Sequence, residues 1–324
     1  MADTTIEWAT KVWNPLRGCS RVSEGCRHCY AERMAARFSG AGQPYEGLVR
    51  QTDGGPRWTG EVRFIAEKLG EPLRWRGPER VFVNSMSDLF HEKVTDEQIA
   101  AVFGVMAACP QHTFLVLTKR AERMRQWFEW VRTAERGRWD GTVIHYAERM
   151  LGGAISPSIP GVPLPNVEIG VSVEDQPTAD ERIPHLLATP AARRIVSLEP
   201  MIGPVDLDDE RDWLTPLHLL PVEGAIGDVP CAVSTTSAGV PRHPALDWVI
   251  VGGESGPGAR PFDLAWIRSI VQQCRVTGVP CFVKQLGARP VDASGDLLLK
   301  SRKGADMSEW PLDLRVREFP EARS

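Results

Sequence analysis

Short runs of consecutive apolar residues recur along the chain and alternate with longer stretches whose apolar positions repeat at helical spacing. Six runs read as strands, at 81–84, 113–117, 167–172, 194–198, 248–251 and 280–284, and a seventh lies near 13–16. Between them, 96–108 carries Ile99, Val102, Phe103 and Met106 on one face, and 121–132 carries Met124, Trp127 and Phe128. The stretches 179–187 and 264–275 follow the same period. Runs such as Phe114-Leu115-Val116-Leu117 are apolar at every position, which suits strands covered by helices on both faces. Strand alternating with helix predicts an α/β fold built on a parallel sheet.

Each run is followed by polar residues. Ser85, Ser87 and Asp88 follow the first clear strand, Lys119 and Arg120 the second, and Ser172, Glu174 and Asp175 the third. Ser197 and Glu199 come next, then Gly252, Gly253, Glu254 and Ser255, and finally Lys284 and Gln285. Taken singly, such residues are the polar exits that any buried strand needs; six in succession predict a site. In a (β/α) barrel, full or partial, these ends ring one mouth, where barrel enzymes build their active sites. An open doubly wound sheet also gathers its strand ends at one edge, but the order of blocks shows no topological switch. The expected fold is a full or partial barrel of TIM type in a single domain over 1–324, with a cysteine loop at 17–30. Breaker-rich loop insertions are expected at about 136–165, with one short helix around 145–150, and at about 205–244. A C-terminal extension at about 290–324 alternates apolar and charged residues and is expected to close over the mouth or lie on the surface.

With 324 residues, 42% hydrophobic and 25% charged, the chain is an ordinary globular one. No apolar run approaches the ~20 residues of a membrane-spanning helix. The stretch Met1–Trp8 has neither a basic leader nor an apolar core, so the chain is expected in the cytoplasm. Net charge is −4, divided unevenly: residues 1–150 carry 22 Lys+Arg against 19 Asp+Glu, and 151–324 carry 16 against 23. Any polyanionic partner is therefore expected at the first half. Seven cysteines, an odd number in a reducing compartment, argue against a disulfide framework.

Three of those cysteines, Cys19, Cys26 and Cys29, fall within eleven residues, flanked by Gly18 and Gly25. Arg17, Arg21, Arg27 and Glu24 make the segment too polar for a core, so the thiols read as ligands of one metal centre. A structural zinc ion wants four ligands, and His28, between two of the thiols, or the distant Cys281 would have to complete the set. A [4Fe–4S] cube usually takes four thiolates; three leave one iron open to a small molecule.

The segment Trp13-Asn14-Pro15-Leu16-Arg17-Gly18-Cys19, followed by Gly25-Cys26-Arg27-His28-Cys29-Tyr30-Ala31-Glu32-Arg33-Met34, resembles the phage Gp37/Gp68 family. Further matching blocks are Phe82-Val83-Asn84-Ser85-Met86-Ser87-Asp88-Leu89-Phe90-His91, Val116-Leu117-Thr118-Lys119-Arg120 and Gly170-Val171-Ser172-Val173-Glu174-Asp175-Gln176. Ser197-Leu198-Glu199-Pro200, Gly252-Gly253-Glu254-Ser255-Gly256 and Phe282-Val283-Lys284-Gln285 complete a likeness that runs from about Trp8 to Gln285. The family is named for its phage origin and not for a reaction. More distantly, the loop is similar to that of radical S-adenosylmethionine (radical SAM) enzymes, although Cys19-x6-Cys26-x2-Cys29 departs from their usual Cys-x3-Cys-x2-Cys. That resemblance implies a [4Fe–4S] cluster on the three cysteines, S-adenosylmethionine at the open iron and an electron donor as partner. It places the cofactor's amino group near Ser85, Ser87 or Asp88, its carboxylate at Lys119 or Arg120, and its ribose at Ser172 or Glu174. Glu199 and Glu254 are further cofactor contacts, and Glu254 and Lys284 are the candidates for catalysis on the substrate.

Arg17, Arg21, Arg27, Arg33 and Arg37 surround the cysteine loop, so the expected substrate is a nucleobase in DNA or RNA that is modified or repaired. Two other readings stand beside this one. In the first, zinc or a cluster only folds the loop of a nucleic-acid-binding protein. In the second, a barrel hydrolase uses Glu174, Glu199 or Glu254 as acid and base and the cysteines are incidental. No nucleophile elbow, Walker A loop or His-Glu-x-x-His is present, and the seven histidines show no metal-ligand spacing.

Overall fold

The six clear apolar runs form strands within one residue of their expected places, and the seventh strand, expected near 13–16, lies earlier, at Lys11–Trp13. The computed structural model describes residue 4 and residues 6–133, 139–156, 161–208, 212–214, 234–235, 241–242 and 245–321. Its parallel strands are β1 (Lys11–Trp13), β2 (Arg80–Val83), β3 (Thr113–Thr118), β4 (Val167–Ser172), β5 (Arg193–Leu198), β6 (Trp248–Gly252) and β7 (Cys281–Gln285). The main helices are α1 (Tyr30–Ala36), α2 (Asp96–Ala107), α3 (Ala121–Thr133), α4 (Trp139–Leu151), α5 (Gln176–Leu187) and α6 (Leu264–Thr277). Two compact units divide the chain, Met1–Val171 and Ser172–Ser324.

In the first unit the strand order is β1-β2-β3-β4, with Val12 opposite Phe82, Phe82 opposite Leu115 and Val116 opposite Ile169. Trp13, Val81, Val83, Phe114 and Val116 are fully buried between strands and helices. The pattern at 96–108 predicts one apolar face, yet α2 is buried at every position from Ile99 to Ala107. The reason is that α3 and α4 both pack on it; the ring of Phe103 stacks on Trp127 at 4.5 Å. Thr95 and Gln98 form a reciprocal capping box that starts the helix. The short helix expected around 145–150 is the 13-residue α4. The breakers of the first insertion mark only the loop after it, and residues 136–138 and 157–160 of that insertion lie outside the described residues. β4 is not purely apolar either: the buried Glu168 is paired at 2.7 Å with Arg80 of β2.

In the second unit the order is β5-β6-β7, with Val249 opposite Val196 and Ile250 opposite Phe282. Asp175 caps α5 in a box with Thr178, and Asp263 caps α6. The C-terminal extension pairs with the free edge of β7. Val283 N–H donates to Val316 O and Glu318 N–H to Cys281 O, both at 2.9 Å, and Arg317 lies over the rings of Phe282 and Trp310. Its alternating pattern is that of a strand covering an exposed edge. Most of the expected insertion at 205–244 lies outside the described residues.

Within each unit the strands follow chain order, as in a singly wound fold, with no reversal of the kind that marks a doubly wound sheet. Seven parallel strands among the described residues are one fewer than a closed (β/α)8 barrel needs. The fold is therefore parallel α/β, and a full barrel is not what these strands make. Among the described residues no helix is long and apolar enough to cross a membrane.

Candidate functional site

The cysteine loop begins where β1 ends. Leu16–Arg17 pairs antiparallel with Arg63–Phe64, and Gly18 then bridges to Ser87. Gly18 has φ +91°, and a Cβ there would stand 2.1 Å from the carbonyl oxygen of Glu61. Only glycine fits, and the residue it delivers next is Cys19. Cys26 closes the single 3-10 turn Glu24–Cys26, and Cys29 stands at the N-cap of α1. Cys19 and Cys29 pack against one apolar cluster of Ala31, Ala35, Leu48 and Trp58. The loop's two arms are laced by the buried Glu32, which accepts from Arg21 Nε at 3.0 Å and from the Trp58 amide at 3.0 Å; Arg21 also reaches Arg27 O at 2.7 Å.

All three thiols are free. Burial, with the nearby Asp88 carboxylate, pushes the Cys19 thiol up to about 12. Burial also raises Cys29. Cys26 goes the other way: burial opposes the shift, but the charge of Lys119 and the backbone around Val22 and Ser23 carry it down. The Cys26 charge disfavours ionisation of Cys19 and Cys29, and the Cys29 charge that of Cys19, so a cation at the loop relieves the set. Among the described residues no three His, Cys, Asp or Glu side chains gather around the position of a single ion. A single zinc draws its sulfurs in to about 2.3 Å each, whereas a cube takes each thiolate on a separate iron and leaves them further apart. Three thiols are soft donors of the kind that either centre takes.

Around the thiols stand the ends of β2 and β3. Ser85 Oγ donates to Asn14 Oδ1 at 3.3 Å, its carbonyl accepts from the Tyr30 hydroxyl, and Ser87 Oγ donates to Leu16 O at 3.2 Å. The buried Asp88 accepts from Thr118 Oγ1, the Phe90 and Lys119 amides and Arg120 Nη1, at 2.7–3.1 Å. Arg120 also bonds Glu92 and Ser20, and Ser20 Oγ meets Nε2 of the buried His91 at 2.9 Å. His91 Nδ1 accepts the Lys93 amide at 3.1 Å, which leaves the ring proton on Nε2. Burial and the Arg120 charge hold its pKa below the usual histidine value.

Ser20, His91, Glu92 and Asn84 were not legible as site residues. Asn84 ends β2 with φ +58° and is 3% exposed, and neither end of its carboxamide has a hydrogen-bond partner. Asparagine directly after a strand is the one sequence signal it offered, since that side chain tolerates the left-handed region better than most.

The remaining candidates belong to the second unit, and there each acid has its own cation. Glu174, fully buried, takes both oxygens to Arg182 Nη1 at 3.2 and 3.1 Å, and the same nitrogen donates to Ser172 O at 2.7 Å. Glu254 accepts from the Arg260 amide at 2.9 Å and from its guanidinium at 3.2 and 2.8 Å. Glu199, just beyond β5, reaches Lys284 of β7 at 3.1 Å across the intervening β6. The bridge passes over Gly252, where a Cβ would stand 2.8 Å from Glu199 Oε1. Cys281 is buried in β7 and hydrogen-bonds Cys274.

A family model described as a protein of unknown function (DUF5131) matches residues 3–313. Comparison with curated proteins and with solved structures finds no match.

Proposed function

The chain belongs to the DUF5131 family, whose description names no reaction, and from the site we propose a radical SAM-like iron–sulfur enzyme with its [4Fe–4S] cluster on Cys19, Cys26 and Cys29. One observation carries the reading. Three free thiols share a glycine-pinned loop at the carboxyl ends of parallel strands, with Lys119 and Arg120 facing them and no further cysteine before Cys109. When bound, such a cluster supplies single electrons and an iron without a cysteine, where the amino and carboxylate groups of S-adenosylmethionine can sit. Cys26 gives up its proton most readily and Cys19 and Cys29 least, so loading the loop releases protons. Ser85 and Ser87 offer oxygens toward an ammonium group, and Lys119 a cation toward a carboxylate. Asp88, committed to four internal donors, holds the Thr118–Arg120 turn in place instead. Ser172, Glu174, Glu199, Glu254 and Lys284 remain proposed contacts of cofactor and substrate, and a partial barrel of TIM type the proposed architecture. An electron donor is the partner such an enzyme needs.

A nucleobase in DNA or RNA is the proposed substrate class. Tyr30, Met34 and Phe38 follow one another at helical spacing along α1 and just past it, exposed at 47%, 39% and 46%, with Arg33 and Arg37 between them. Aromatic faces interleaved with cations suit stacked single-stranded bases. Of the other arginines, Arg21 is taken up by Glu32 and Arg17 lies over the Tyr45 ring.

The decisive experiment is the electron paramagnetic resonance spectrum of anaerobically reconstituted, reduced protein with and without S-adenosylmethionine. A cluster signal that changes on adding the cofactor is expected. Zinc alone, or a cluster signal indifferent to the cofactor, overturns the reading in favour of a metal-stabilised loop. A gel-shift titration at low and moderate salt, in which Phe38→Ala weakens retention of single-stranded DNA or RNA, checks the substrate class; no retention of either by the wild type removes it.

A further inference from the structure

Arg120 uses every N–H it has, and the fifth points at a cysteine. Its Nε donates to Glu92 Oε2 at 2.7 Å, one Nη1 proton to Asp88 Oδ2 at 3.1 Å, and its Nη2 protons to Ser20 Oγ and Ser20 O at 2.7 and 3.3 Å. The remaining Nη1 contact is Cys19 Sγ at 4.0 Å. The side chain is only 8% exposed. Burying a guanidinium at that depth is costly unless its donors are met, and five acceptors meet all five.

The arrangement is ordered outward in layers. Thr118 and the Phe90 amide fix one oxygen of Asp88; Asp88 and the peripheral Glu92 fix the guanidinium; the guanidinium fixes both polar groups of Ser20, the residue next to Cys19. An ordinary buried ion pair between Asp88 and Arg120 would not need the Ser20 contacts or the sulfur. Metal ligands are commonly steered by such outer partners, and hydrogen bonds to the sulfurs are among the levers that set a cluster's reduction potential.

We infer that Arg120 is the positioning residue of the Cys19 ligand, orienting its thiolate and setting the reduction potential of the cluster held there. This rests on the cluster reading above. Reduction adds one electron to the cluster, delivered by the external reductant, and breaks no bond. A fixed positive charge and an N–H donor beside the sulfur stabilise the more negative, reduced state. Arg120→Gln removes the charge and leaves Asp88 uncompensated, so both effects shift the potential downward. Glu92→Gln removes a carboxylate from the far side of the same guanidinium, and shifts it upward. Glu92 is 63% exposed, so its effect is screened and smaller.

The test is a mediated dithionite titration of the reconstituted holoenzyme at low ionic strength, followed by the cluster's paramagnetic signal, with iron and sulfide content measured for every variant. For Arg120→Gln the reduced state should lose at least tenfold in relative stability, about 59 mV for a one-electron couple. For Glu92→Gln it should gain about threefold, roughly 28 mV by the same constant. Opposite signs at equal iron content are a signature that a merely structural contact does not give. Should Arg120→Gln fail to fold, Glu92→Gln at the rim still decides. Unmoved midpoints in a fully loaded protein overturn the role of Arg120 and leave the cluster standing. A wild type that takes up no cluster overturns the reading beneath it instead.

Discussion

Replacing Gly18 by alanine tests the geometry on which the cysteine loop depends. Two penalties combine. At φ +91° an L-residue is strained by about 1–2 kcal/mol. The new methyl would also start 2.1 Å from a backbone oxygen, that of Glu61, so the strand pair Leu16–Arg17 with Arg63–Phe64 must part by more than an ångström. Overpacking of this kind costs about 1–3 kcal/mol. Alanine recovers about 0.4–1 kcal/mol by restricting the unfolded chain, which leaves a net loss of about 3 kcal/mol. Gly42→Ala is the internal control: its φ is +71°, but nothing lies within 4 Å of the added carbon, so only the strain applies and the net loss is about 1 kcal/mol. The assay is urea denaturation of the metal-free protein followed by tryptophan fluorescence, read beside the rate at which a thiol reagent labels Cys19, Cys26 and Cys29. Gly18→Ala is expected to lower the midpoint well beyond Gly42→Ala and to speed labelling, because Cys19 loses its anchor. Equal losses in the two variants would refute the reasoning, since the close approach at Glu61 would then contribute nothing.

Acid sensitivity should trace in part to His112. Its Nδ1 accepts the Glu79 amide at 3.2 Å, so its proton sits on Nε2, which faces Pro72 O at 3.2 Å. Burial lowers its pKa from 6.5, so between the folded value and 6.5 the unfolded chain binds the extra proton. Stability is then full above about pH 6.5 and declines as pH falls below it, at no more than about 1.4 kcal/mol per pH unit for each such proton. His112→Asn should flatten the fall of the denaturation midpoint just below pH 6.5, and a variant whose slope matches the wild type rules the account out. In the second unit, Gly252→Ala should cost about 1–2 kcal/mol by pushing the Glu199 carboxylate off Lys284. Adding Glu199→Ala should recover part of that loss in a denaturation cycle; strictly additive losses would show that the two positions do not touch.

What the sequence disclosed and what it withheld divide along one line, the distance over which a signal acts. Strands, helices and the cysteine loop are written in neighbouring residues: apolar runs, the 3.6 period of α3, the capping box at Thr95, a glycine before a cysteine. The pairing of charges is not. Asp88 meets Arg120 from 32 positions away, and Glu199 meets Lys284 from 85. The sequence shows acids at strand ends but not that the fold has already assigned each a cation, as the cost of burying a lone carboxylate demands. Even the nearer pairs, Glu174 with Arg182 and Glu254 with Arg260, are chosen by which way the chain turns after the strand. The same accounting separates the candidates chemically. Cys109, Cys274 and Cys281 are buried free thiols that behave as small apolar fillers. The acids the sequence singled out are engaged by arginine or lysine. At Cys19, Cys26 and Cys29, by contrast, the Cys26 charge disfavours the ionised form of the other two, while Arg120 favours it at Cys19 and Lys119 at Cys26. A ligand that brings positive charge to three thiolates at once resolves that conflict, and the chemistry of this chain should therefore be sought at the loop before the acids.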